Sequence, residues 1–534
     1  MEINKKLEEG ELTSGKHLSY WLESASALSG LHSLNENIET DVVIVGAGLA
    51  GLSVGYCLCE KGKNVVILED GFIGSGESGR TTAQLVTALD DRYYQLESNF
   101  GKEKTKLIAE SHATAIDFVE RTIKKENINC EFERVDGYLF LHSSDKKNSL
   151  KKELDSALSA GIDISELENV PAIPNAGKCL RFAGQAQFHP MKYLNGLAAA
   201  IKKKGSKIYI NTHASEINSA GVITSKGNKV KAKHIVIATN SPVNNKYAMH
   251  LKQYAYRTYV IGALIKKQSL PRALWWDTGD FESNPDTPPY HYVRICTYNS
   301  EYDLLLSGGE DHPVANTNET DVPEDHRYNL LESWTRKHFD IGSIIYRWSG
   351  QILEPMDGIA YIGHNPHDEK NVYIITGDSG NGMTYCTIGG ILISDLITGK
   401  ENVWEEIYTP TRFTIKKSKP FFKEIMGSLM ASLKKQPEHK DSVSLSSLQN
   451  REGKIIELKG EKYGVFKDEN DTLHIVSAVC THLKCSVKWN NDEKSWDCPC
   501  HGSRFTHNGK VINGPANSDL PSYSEKVILK DVSA

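Results

Sequence analysis

A glycine-rich turn near the start of the chain constrains the fold more than any other feature of the sequence. Residues 41–45 (Asp-Val-Val-Ile-Val) have the apolar pattern of a short buried strand, and Gly46-Ala-Gly-Leu-Ala-Gly51 follows them directly. The apolar stretch after the turn predicts a helix, and residues 64–68 predict a second strand that ends at Glu69. Strand, G-x-G-x-x-G turn, helix, strand and acid in this order predict a βαβ unit that binds a dinucleotide.

Each part of this unit has a physical role in such a site. Gly46 permits the tight turn, Gly48 allows the backbone to approach a pyrophosphate, and Gly51 allows the helix to pack on the strand. The helix N-terminus presents amide hydrogens and the positive end of its dipole to the phosphates, and Glu69 accepts hydrogen bonds from a ribose. A glycine motif alone is weak evidence, but the complete unit in register strongly indicates a dinucleotide site.

Two Cys–His pairs near the C-terminus indicate a second kind of chemistry: Cys480-Thr-His482 and Cys498-Pro-Cys-His501. A Rieske [2Fe–2S] centre needs this arrangement, because two thiolates hold one iron and two imidazoles hold the other. Imidazole leaves less negative charge than thiolate, so such centres have potentials of roughly −150 to +300 mV, against about −400 mV for plant-type ferredoxins. The alternative is zinc, but a finger typically separates its Cys pair from its His pair, whereas each pair here is mixed.

The surrounding residues resemble respiratory-type Rieske proteins. The run Cys-Thr-His-Leu-Lys-Cys485, the run Cys-Pro-Cys500-His-Gly-Ser and the segment 514–516 (Gly-Pro-Ala) carry this resemblance. It implies a disulfide between Cys485 and Cys500 and a third loop at 514–516 that covers the cluster. Ser503 matches the family's serine donor to a cluster sulfur, but Phe505 stands where the family has a tyrosine donor. Because donors stabilise the more negative reduced cluster, we expect a lower potential than in the respiratory type.

Three further segments indicate which dinucleotide is bound. Residues 74–84 are rich in glycine and hydroxyl side chains, residues 231–240 form a strand pattern that ends in Ala-Thr-Asn, and residues 372–384 have the pattern of a strand, a glycine turn and an apolar helix start. With the G-x-G-x-x-G unit, they resemble the D-amino-acid-oxidase and glycine-oxidase (DAO) superfamily of FAD enzymes over roughly residues 20–410. The resemblance implies FAD, held by Gly46, Gly48, Leu49, Ala50, Gly51, Glu69, Arg80, Thr81, Thr82, Ala83, Ala214, Ala238, Thr239, Asn240, Gly377, Gly380, Asn381, Gly382, Met383 and Thr384.

Two positions in or next to the last segment bear on how the substrate and the flavin are bound. In glycine-oxidase-like members an arginine near the position of Gly380 binds the substrate carboxylate, whereas here the segment is Asp378-Ser-Gly-Asn. That carboxylate clamp therefore does not carry over to this chain. Some members bind flavin covalently, and Cys386 is the nearest candidate, but a small buried core residue is the simpler role. Covalent flavin is not predicted.

The segments between the FAD-binding stretches are expected to form the substrate domain. Residues 256–262 and 290–296 alternate apolar and polar positions and predict strands. For each candidate on them, an ordinary sheet or surface role is the alternative. An arginine in an aromatic pocket would suit a substrate with a carboxylate. The candidate substrate and catalytic residues are Arg257, Tyr259, Tyr290, Tyr292, Arg294, Trp348 and Gln351.

The expected fold class is α/β, with a Rossmann-like FAD-binding domain of the glutathione-reductase type, an interleaved α+β substrate domain and a small all-β Rieske domain. The domain boundaries follow from the positions of the motifs. We expect a lead-in at 1–40, an oxidoreductase at 41–410, a linker helix at 411–440 and the Rieske domain at 441–534. Within the oxidoreductase we expect FAD-binding segments at about 41–90, 190–245 and 350–410, and substrate segments at about 90–190 and 245–350.

Composition excludes several other classes of protein. The net charge of −6 and the lack of a long basic run argue against nucleic-acid binding. The polar N-terminus has no secretory signal, and the apolar run 42–59 is explained by the βαβ unit rather than by a membrane span. Six of the ten cysteines lie outside the cluster segment without framework spacing, so we expect reduced thiols in the cytoplasm.

Two functions are compatible with these motifs. In the first, the enzyme oxidises a C–N bond of an amine or amino acid at the flavin, and electrons pass through the Rieske cluster to an external acceptor such as a ferredoxin or quinone. No acid–base apparatus is visible in the sequence for this reaction. In the alternative, electrons flow inward through the cluster for a reductive or oxygenase-type reaction. A Rieske oxygenase typically carries D-x-x-H-x₄-H, and no two histidines here stand five residues apart. The substrate, the acceptor and the oligomeric state stay open.

Overall fold

The computed structural model describes residues 17–145, 149–244, 247–250, 252–284, 288–314, 325–412 and 448–525. The predicted linker helix at 411–440 falls almost wholly outside the described residues. So do residues 1–16 of the predicted lead-in, and residues 441–447 and 526–534 of the predicted Rieske domain.

The strands of the described residues are numbered in chain order: β1 Ile38–Val45, β2 Val65–Leu68, β3 Gln84–Leu85, β4 Glu133–Phe140, β5 Ile164–Leu167, β6 Cys179–Gln187, β7 Lys207–Tyr209, β8 Ala214–Asn218, β9 Gly221–Thr224, β10 Lys229–Ile237, β11 Gln253–Lys266, β12 Leu274–Asp277, β13 Tyr292–Thr297, β14 Tyr302–Pro313, β15 Ile344–Pro355, β16 Tyr361–His364, β17 Val372–Thr376, β18 Gly453–Leu458, β19 Glu461–Lys467, β20 Leu473–Ser477, β21 Lys488–Asn490, β22 Ser495–Asp497, β23 Arg504–Thr506, β24 Val511–Asn513 and β25 Ser522–Tyr523. The helices are α1 Tyr20–Ser24, α2 Leu49–Glu60, α3 Tyr93–Phe100, α4 Lys102–Glu126, α5 Ser149–Ser159, α6 Pro190–Lys203, α7 Tyr247–His250, α8 His326–His338, α9 Gly382–Ile397 and α10 Glu405–Tyr408.

The first sheet has the order β16-β17-β10-β1-β2-β7, and every neighbouring pair is parallel except β16–β17. The β8–β9 hairpin extends from β10. In β1, Val42 and Ile44 pack into one apolar cluster, while Val43 and Val45 pack into another on the opposite face. Both faces of the strand are therefore covered, which explains why its sequence is continuously apolar rather than alternating.

The second sheet is mixed and has the order β15-β11-β14-β13-β12-β4-β6-β3, with β5 added at β6. The strands predicted at 256–262 and 290–296 correspond to β11 and β13 of this sheet. Its members include β3, inside the segment predicted to bind FAD, and β15, which continues to Pro355. Gln253 of β11 donates to the Oγ1 atom of Thr376 on β17 of the first sheet at 2.9 Å, and residues from both sheets line the cleft between them.

The longest helix, α4, positions the turn at the start of α9. Its buried residues recur on one face (Ile108, Ala109, His112, Ala115, Ile116 and Val119), as an amphipathic helix requires. Asn127 ends the helix with φ +53°, a left-handed conformation that asparagine tolerates. On the buried face, the Nδ1 atom of His112 lies 2.8 Å from the Oγ1 atom of Thr384 and ties α4 to the first turn of α9.

The C-terminal domain is built from two four-stranded antiparallel sheets, β18-β19-β20-β25 and β21-β22-β23-β24. The two loops that follow β20 and β22 carry the Cys–His pairs. Mixed α/β sheets joined to this small β domain confirm the predicted fold class. Among the described residues, no helix combines the length and the apolar character that a membrane crossing requires.

Candidate functional site

The turn between β1 and α2 is shaped so that only glycine fits. Gly46 has φ +105°, and a Cβ atom on it would lie 2.5 Å from the carbonyl oxygen of Ala238. A Cβ atom on Gly51 would lie 1.9 Å from the carbonyl oxygen of Gly46. Helix α2 starts at this turn with Gly48 as its N-cap, which has no capping side chain, and the N–H of its first residue, Leu49, donates to the Oγ atom of Ser78 at 3.0 Å. This cradle fits the pyrophosphate of a dinucleotide.

Glu69 closes the unit at the end of β2. Its Oε2 atom accepts a hydrogen bond from the backbone N–H of Ala47 at 2.6 Å, and its Oε1 atom accepts from Gly71 at 3.0 Å. Burial raises the pKa of Glu69, and the backbone donors oppose that shift. The carboxylate both braces the turn and lines the cleft, where it can also accept from ribose hydroxyls.

Most of the predicted FAD-binding residues line this one cleft. They are Gly46, Gly48, Leu49, Ala50, Glu69, Arg80, Thr81, Thr82, Ala214, Ala238, Thr239, Asn240, Gly380, Asn381, Gly382 and Met383. Gly51, Ala83, Gly377 and Thr384 lie behind the lining. Although Arg80 lines the cleft, its guanidinium donates to the carbonyl oxygens of Ser349 and His17, so it does not reach towards a phosphate.

The cleft continues between the two sheets past two predicted tyrosines. Tyr290 donates a hydrogen bond to the Oδ2 atom of Asp90 at 2.6 Å. The hydroxyl oxygen of Tyr292 lies 2.6 Å from the Oγ1 atom of Thr258. Both tyrosines line the cleft. This part of the cleft is therefore aromatic and polar and lies next to the glycine turn that precedes α9.

The two Cys–His pairs converge in the C-terminal domain. Cys480 and Cys498 are both 1% exposed, and hydrogen bonds from Cys498 and Ser503 lower the pKa of the Cys480 thiol. The rings of His482 and His501 lie 5.2 Å apart, and burial lowers the pKa of each to about 4, so both are neutral at pH 7. The Nδ1 atom of His501 is buried without a hydrogen-bond partner. Two thiols and two neutral imidazoles form the donor set of a Rieske [2Fe–2S] cluster.

Cys485 and Cys500 form a disulfide that joins the two cluster loops. The sulfur atoms of Cys485, Cys498 and Cys500 lie within 4.8 Å of one another. The disulfide removes two of these sulfurs as thiolate ligands, so this trio is not a metal site of its own. Gly514 and Ala516 of the predicted third loop (514–516), together with Asn517 directly after it, line the same cleft as the FAD-binding residues of the oxidoreductase.

Comparison with known proteins identifies both parts of the chain. The family profile of FAD dependent oxidoreductases (DAO) matches residues 41–396. The chain belongs to the DAO family of FAD-dependent oxidoreductases. The profile of the Rieske [2Fe-2S] domain matches residues 441–524. The chain is therefore an FAD-dependent oxidoreductase that also carries a Rieske [2Fe–2S] cluster.

Three individual proteins illustrate these similarities. The Rieske 2Fe-2S iron-sulfur protein YhfW of Bacillus subtilis is 31% identical over 506 residues, covering 94% of this chain and 96% of YhfW. Gamma-glutamylputrescine oxidoreductase of Escherichia coli is 27% identical over 403 residues, covering 71% of this chain and 89% of that enzyme. The crystal structure of glycine oxidase from Geobacillus kaustophilus has a TM-score of 0.56 and 18% identity, covering 71% of this chain and all of that one.

The structure places Arg294, one of the predicted substrate residues, outside the lining of the cleft. Its Nη1 atom donates to the carbonyl oxygens of Thr82, Ala83 and Phe188, and its guanidinium lies 5.1 Å from the centre of the Trp21 ring. The side chain is 2% exposed and does not line the cleft. Arg294 is a structural brace between strands and loops, because all its observed acceptors are backbone oxygens behind the cleft wall.

Three other predicted contacts also lie away from the cleft. The hydroxyl of Tyr259 pairs with the Nε2 atom of His312 at 3.1 Å, and Trp348 donates to the carbonyl oxygen of Arg80. Arg257 donates to the Oγ atom of Ser349 on the side that faces the Rieske domain. Arg257 and Tyr259 lie on the face of β11 opposite to Thr258, which lines the cleft, because successive residues of a strand face opposite sides. Trp348 lies on the same face as Thr258 but is fully buried in the apolar core. The remaining candidate, Gln351, lines the cleft.

Besides Asp70 and Glu77, three carboxylates that the prediction did not assign to the substrate site line the cleft: Asp90, Asp311 and Asp378. Burial raises the pKa of Asp90 and Asp311 to about 7 and that of Asp378 to about 6. Repulsion from Asp90 adds to the shift at Asp311. The three carboxylates come from segments that lie far apart in the sequence. This end of the cleft is acidic and presents no arginine side chain among the residues described.

The cluster environment makes a prediction about potential. Phe505 packs in the same apolar cluster as Cys480 and Cys498, and the Ser503 hydroxyl bonds to the Cys480 sulfur. A hydrogen bond that favours the reduced state by about 1.4 kcal/mol moves a one-electron midpoint by about 59 mV. We therefore expect Phe505→Tyr to raise the midpoint and Ser503→Ala to lower it, each by about that amount. A redox titration followed by electron paramagnetic resonance measures both, and an unchanged midpoint for Phe505→Tyr would contradict the argument.

Proposed function

We propose that this enzyme oxidises a C–N bond of an amine or amino acid and passes the electrons through its Rieske cluster to an external acceptor, such as a ferredoxin or a quinone. One observation carries the proposal. A single cleft is lined both by the FAD-binding residues and by the third loop of the Rieske domain. Asn517, directly after that loop, donates to the carbonyl oxygen of Ala214, one of the predicted FAD-binding residues, at 3.0 Å.

The reaction balances without a further cofactor. Bound FAD supplies the hydride acceptor, and the cluster supplies one-electron transfer. The substrate loses a hydride from carbon and a proton from nitrogen, which forms an imine, and water then hydrolyses the imine to a carbonyl compound and an amine or ammonia. The two electrons leave the chain one at a time and reduce either two equivalents of a ferredoxin or one equivalent of a quinone, which also takes up two protons. The similarity to gamma-glutamylputrescine oxidoreductase supports an amine as the substrate.

The acidic end of the cleft supports recognition of the amino group rather than of a carboxylate. Asp90 and Asp311 attract a cationic ammonium, and they would repel a carboxylate. The amine must become neutral before it can release a hydride. The raised pKa of Asp90, about 7, suits a group that accepts the ammonium proton in this step. Asp90 is held in place for this role by the Tyr290 hydroxyl.

Anaerobic mixing of the holoenzyme with a panel of mono-, di- and polyamines and amino acids tests the function. We expect a cationic amine to bleach the flavin absorbance first and to produce the reduced Rieske signal afterwards. Reduction of the cluster by a ferredoxin, followed by flavin reduction, with no bleaching by any amine, would instead show inward flow and overturn the proposal. The order in which the two signals appear distinguishes the two directions of electron flow. The flavin is followed by its absorbance and the reduced cluster by electron paramagnetic resonance, so each is measured separately.

We also propose a cytoplasmic location. The six cysteines outside the cluster segment are unpaired thiols, namely Cys57, Cys59, Cys130, Cys179, Cys296 and Cys386. Unpaired thiols are typical of a reducing compartment. Fractionation of cells that express the protein measures the location directly.

A further inference from the structure

A buried carboxylate of the Rieske domain is inserted into a cluster of arginines at the contact with the oxidoreductase. Glu493 lies in the turn between β21 and β22 and is 4% exposed. Its Oε1 atom accepts a hydrogen bond from the Ser349 hydroxyl at 2.6 Å, and Ser349 belongs to β15 of the oxidoreductase. The Ser349 Oγ atom in turn accepts from the Nη1 atom of Arg257 at 3.2 Å.

The charges around Glu493 come from both domains. Arg504 of the Rieske domain places its Nη2 atom 3.6 Å from the Oε2 atom of Glu493. Arg80 and Arg257 of the oxidoreductase add positive charge, and together the three arginines hold the pKa of Glu493 well below its usual range against the effect of burial. Arg80, Arg257 and Arg504 are each at most 2% exposed. The Oδ1 atom of Asp497 also lies 3.1 Å from the Nε atom of Arg504, so removing the Glu493 carboxylate would leave the three buried arginines with less negative charge to compensate them, which is unfavourable.

The same contact surface places the cluster ligands against the oxidoreductase. The ring of His250, the last residue of α7, lies 4.7 Å from the ring of His482 and 5.9 Å from that of His501. Gln351 donates to the carbonyl oxygen of Gly502 at 3.1 Å. A Cβ atom on Gly502 would lie 2.4 Å from the Cβ atom of Ala255. The side of the Rieske domain that carries the cluster histidines therefore packs directly against the oxidoreductase. At Gly502 there is no space for a side chain between them.

We propose that Glu493 is a positioning residue that locks the Rieske domain in this one orientation, so that electrons cross between the flavin and the cluster without a movement of the domain. Domains joined by a linker move relative to each other unless their interface restrains them. Here the restraint is the buried charge cluster around Glu493. On the oxidoreductase side it includes Ser349 of β15, the strand that also carries the cleft residue Gln351. In the transfer step one electron leaves the reduced flavin and converts the diferric cluster to its mixed-valence form. The lock acts in both directions, so it does not depend on the proposed direction of flow.

Glu493→Gln in the full-length holoenzyme tests the lock, with Glu457→Gln on the exposed face of β18 as the matched control. Hydrogen exchange monitored by mass spectrometry gives a readout that is independent of activity. We expect exchange at residues 249–258 and 500–517 to accelerate by roughly tenfold or more in Glu493→Gln, because opening of the interface becomes easier. The control should exchange like the unaltered protein. Unchanged protection of both segments in Glu493→Gln would overturn the proposal.

Flash photoreduction gives the second readout and needs no substrate. A photochemical donor reduces the flavin, and the appearance of the reduced cluster is then followed by its absorbance. We expect Glu493→Gln to slow this equilibration by roughly tenfold or more, since a domain that leaves its docked orientation must return before transfer. Equilibration at the unaltered rate would contradict the lock, whatever substrate the enzyme uses.

A substitution on the oxidoreductase side of the contact leaves the Rieske domain unaltered, so a folding defect of that domain cannot explain its effect. Ser349→Ala removes the hydrogen bond to Glu493 without touching that domain. We expect a smaller acceleration of exchange in the same two segments, with the cluster signal at full intensity. For this comparison the change in the Rieske domain is Glu493→Ala, which unlike glutamine cannot accept from Ser349, and the double variant should exchange no faster than Glu493→Ala alone, because both changes break one contact. Additive effects in the double variant would show that Ser349 and Glu493 act separately and would overturn the assignment.

Discussion

Replacing Gly51 by alanine is expected to leave the protein without bound flavin. The new Cβ atom would lie 1.9 Å from the carbonyl oxygen of Gly46 and 3.2 Å from the Cγ2 atom of Ile44. The first contact is with backbone, which cannot rotate away, so either the turn opens or α2 shifts from the sheet. Both movements withdraw the helix amides from the pyrophosphate position. We expect FAD affinity to fall by at least about tenfold, which corresponds to 1.4 kcal/mol.

Gly55→Ala in the same helix is the matched control. A Cβ atom there would meet the Cδ1 atoms of Ile67 and Ile201, at 2.9 and 3.2 Å, and these are tips of flexible side chains. Because alanine also favours helix by about 1 kcal/mol over glycine, this variant should keep its flavin. Flavin content per chain and titration of the apoprotein with FAD measure both variants, and thermal unfolding checks the fold. A Gly51→Ala variant that binds FAD as tightly as Gly55→Ala would refute the argument.

The βαβ unit could be predicted because its determinants are local in sequence. Turn, helix and acid lie within thirty residues, and each imposes its conformation with little help from the rest of the chain. The strand starts differ slightly: β2 starts at Val65 rather than at residue 64, and β1 starts at Ile38 rather than at residue 41, since residues 38–40 pair with residues 230–232 of β10. The C-x-H and C-x-x-H spacings are equally local. For the same reason, both cofactors of this chain could be predicted from short motifs.

The substrate side could not be predicted in the same way, because its determinants are distant in sequence. The strand that carries Arg294 was predictable, but the direction of its side chain depends on three backbone carbonyls at residues 82, 83 and 188. The carboxylates of Asp90, Asp311 and Asp378 meet only after both sheets have formed. The contact between Glu493 and Ser349 joins residues 144 positions apart. No spacing rule in a single sequence specifies such contacts.

The acidic cleft gives the second large prediction, for Asp90→Asn. The Tyr290 hydroxyl can still donate to the amide oxygen of the new side chain, so the shape of the site is kept while its charge is removed. A hydrogen bond to a charged group contributes about 1.5–3 kcal/mol, so kcat/KM for a cationic amine should fall by roughly 10- to 150-fold at pH 8. Asp155→Asn, on the exposed face of α5, is the control and should leave kcat/KM unchanged.

The pH dependence of the same variant separates loss of charge from loss of structure. With a pKa of about 7, Asp90 is mostly neutral at pH 6 and mostly ionised at pH 8, so kcat/KM of the unaltered enzyme should rise across this interval and flatten above it. Because the pKa of Asp90 is raised above its ordinary value of 3.8, ionisation of this carboxyl group opposes folding. The stability that the neutral form contributes is fully present below about pH 4 and is lost as pH rises from about 4 through 7. The Asp90→Asn apoprotein should therefore be at least as stable at pH 8 as the unaltered apoprotein, while its kcat/KM loses the rise between pH 6 and 8. An Asp90→Asn enzyme that keeps this rise would show that another group binds the amine.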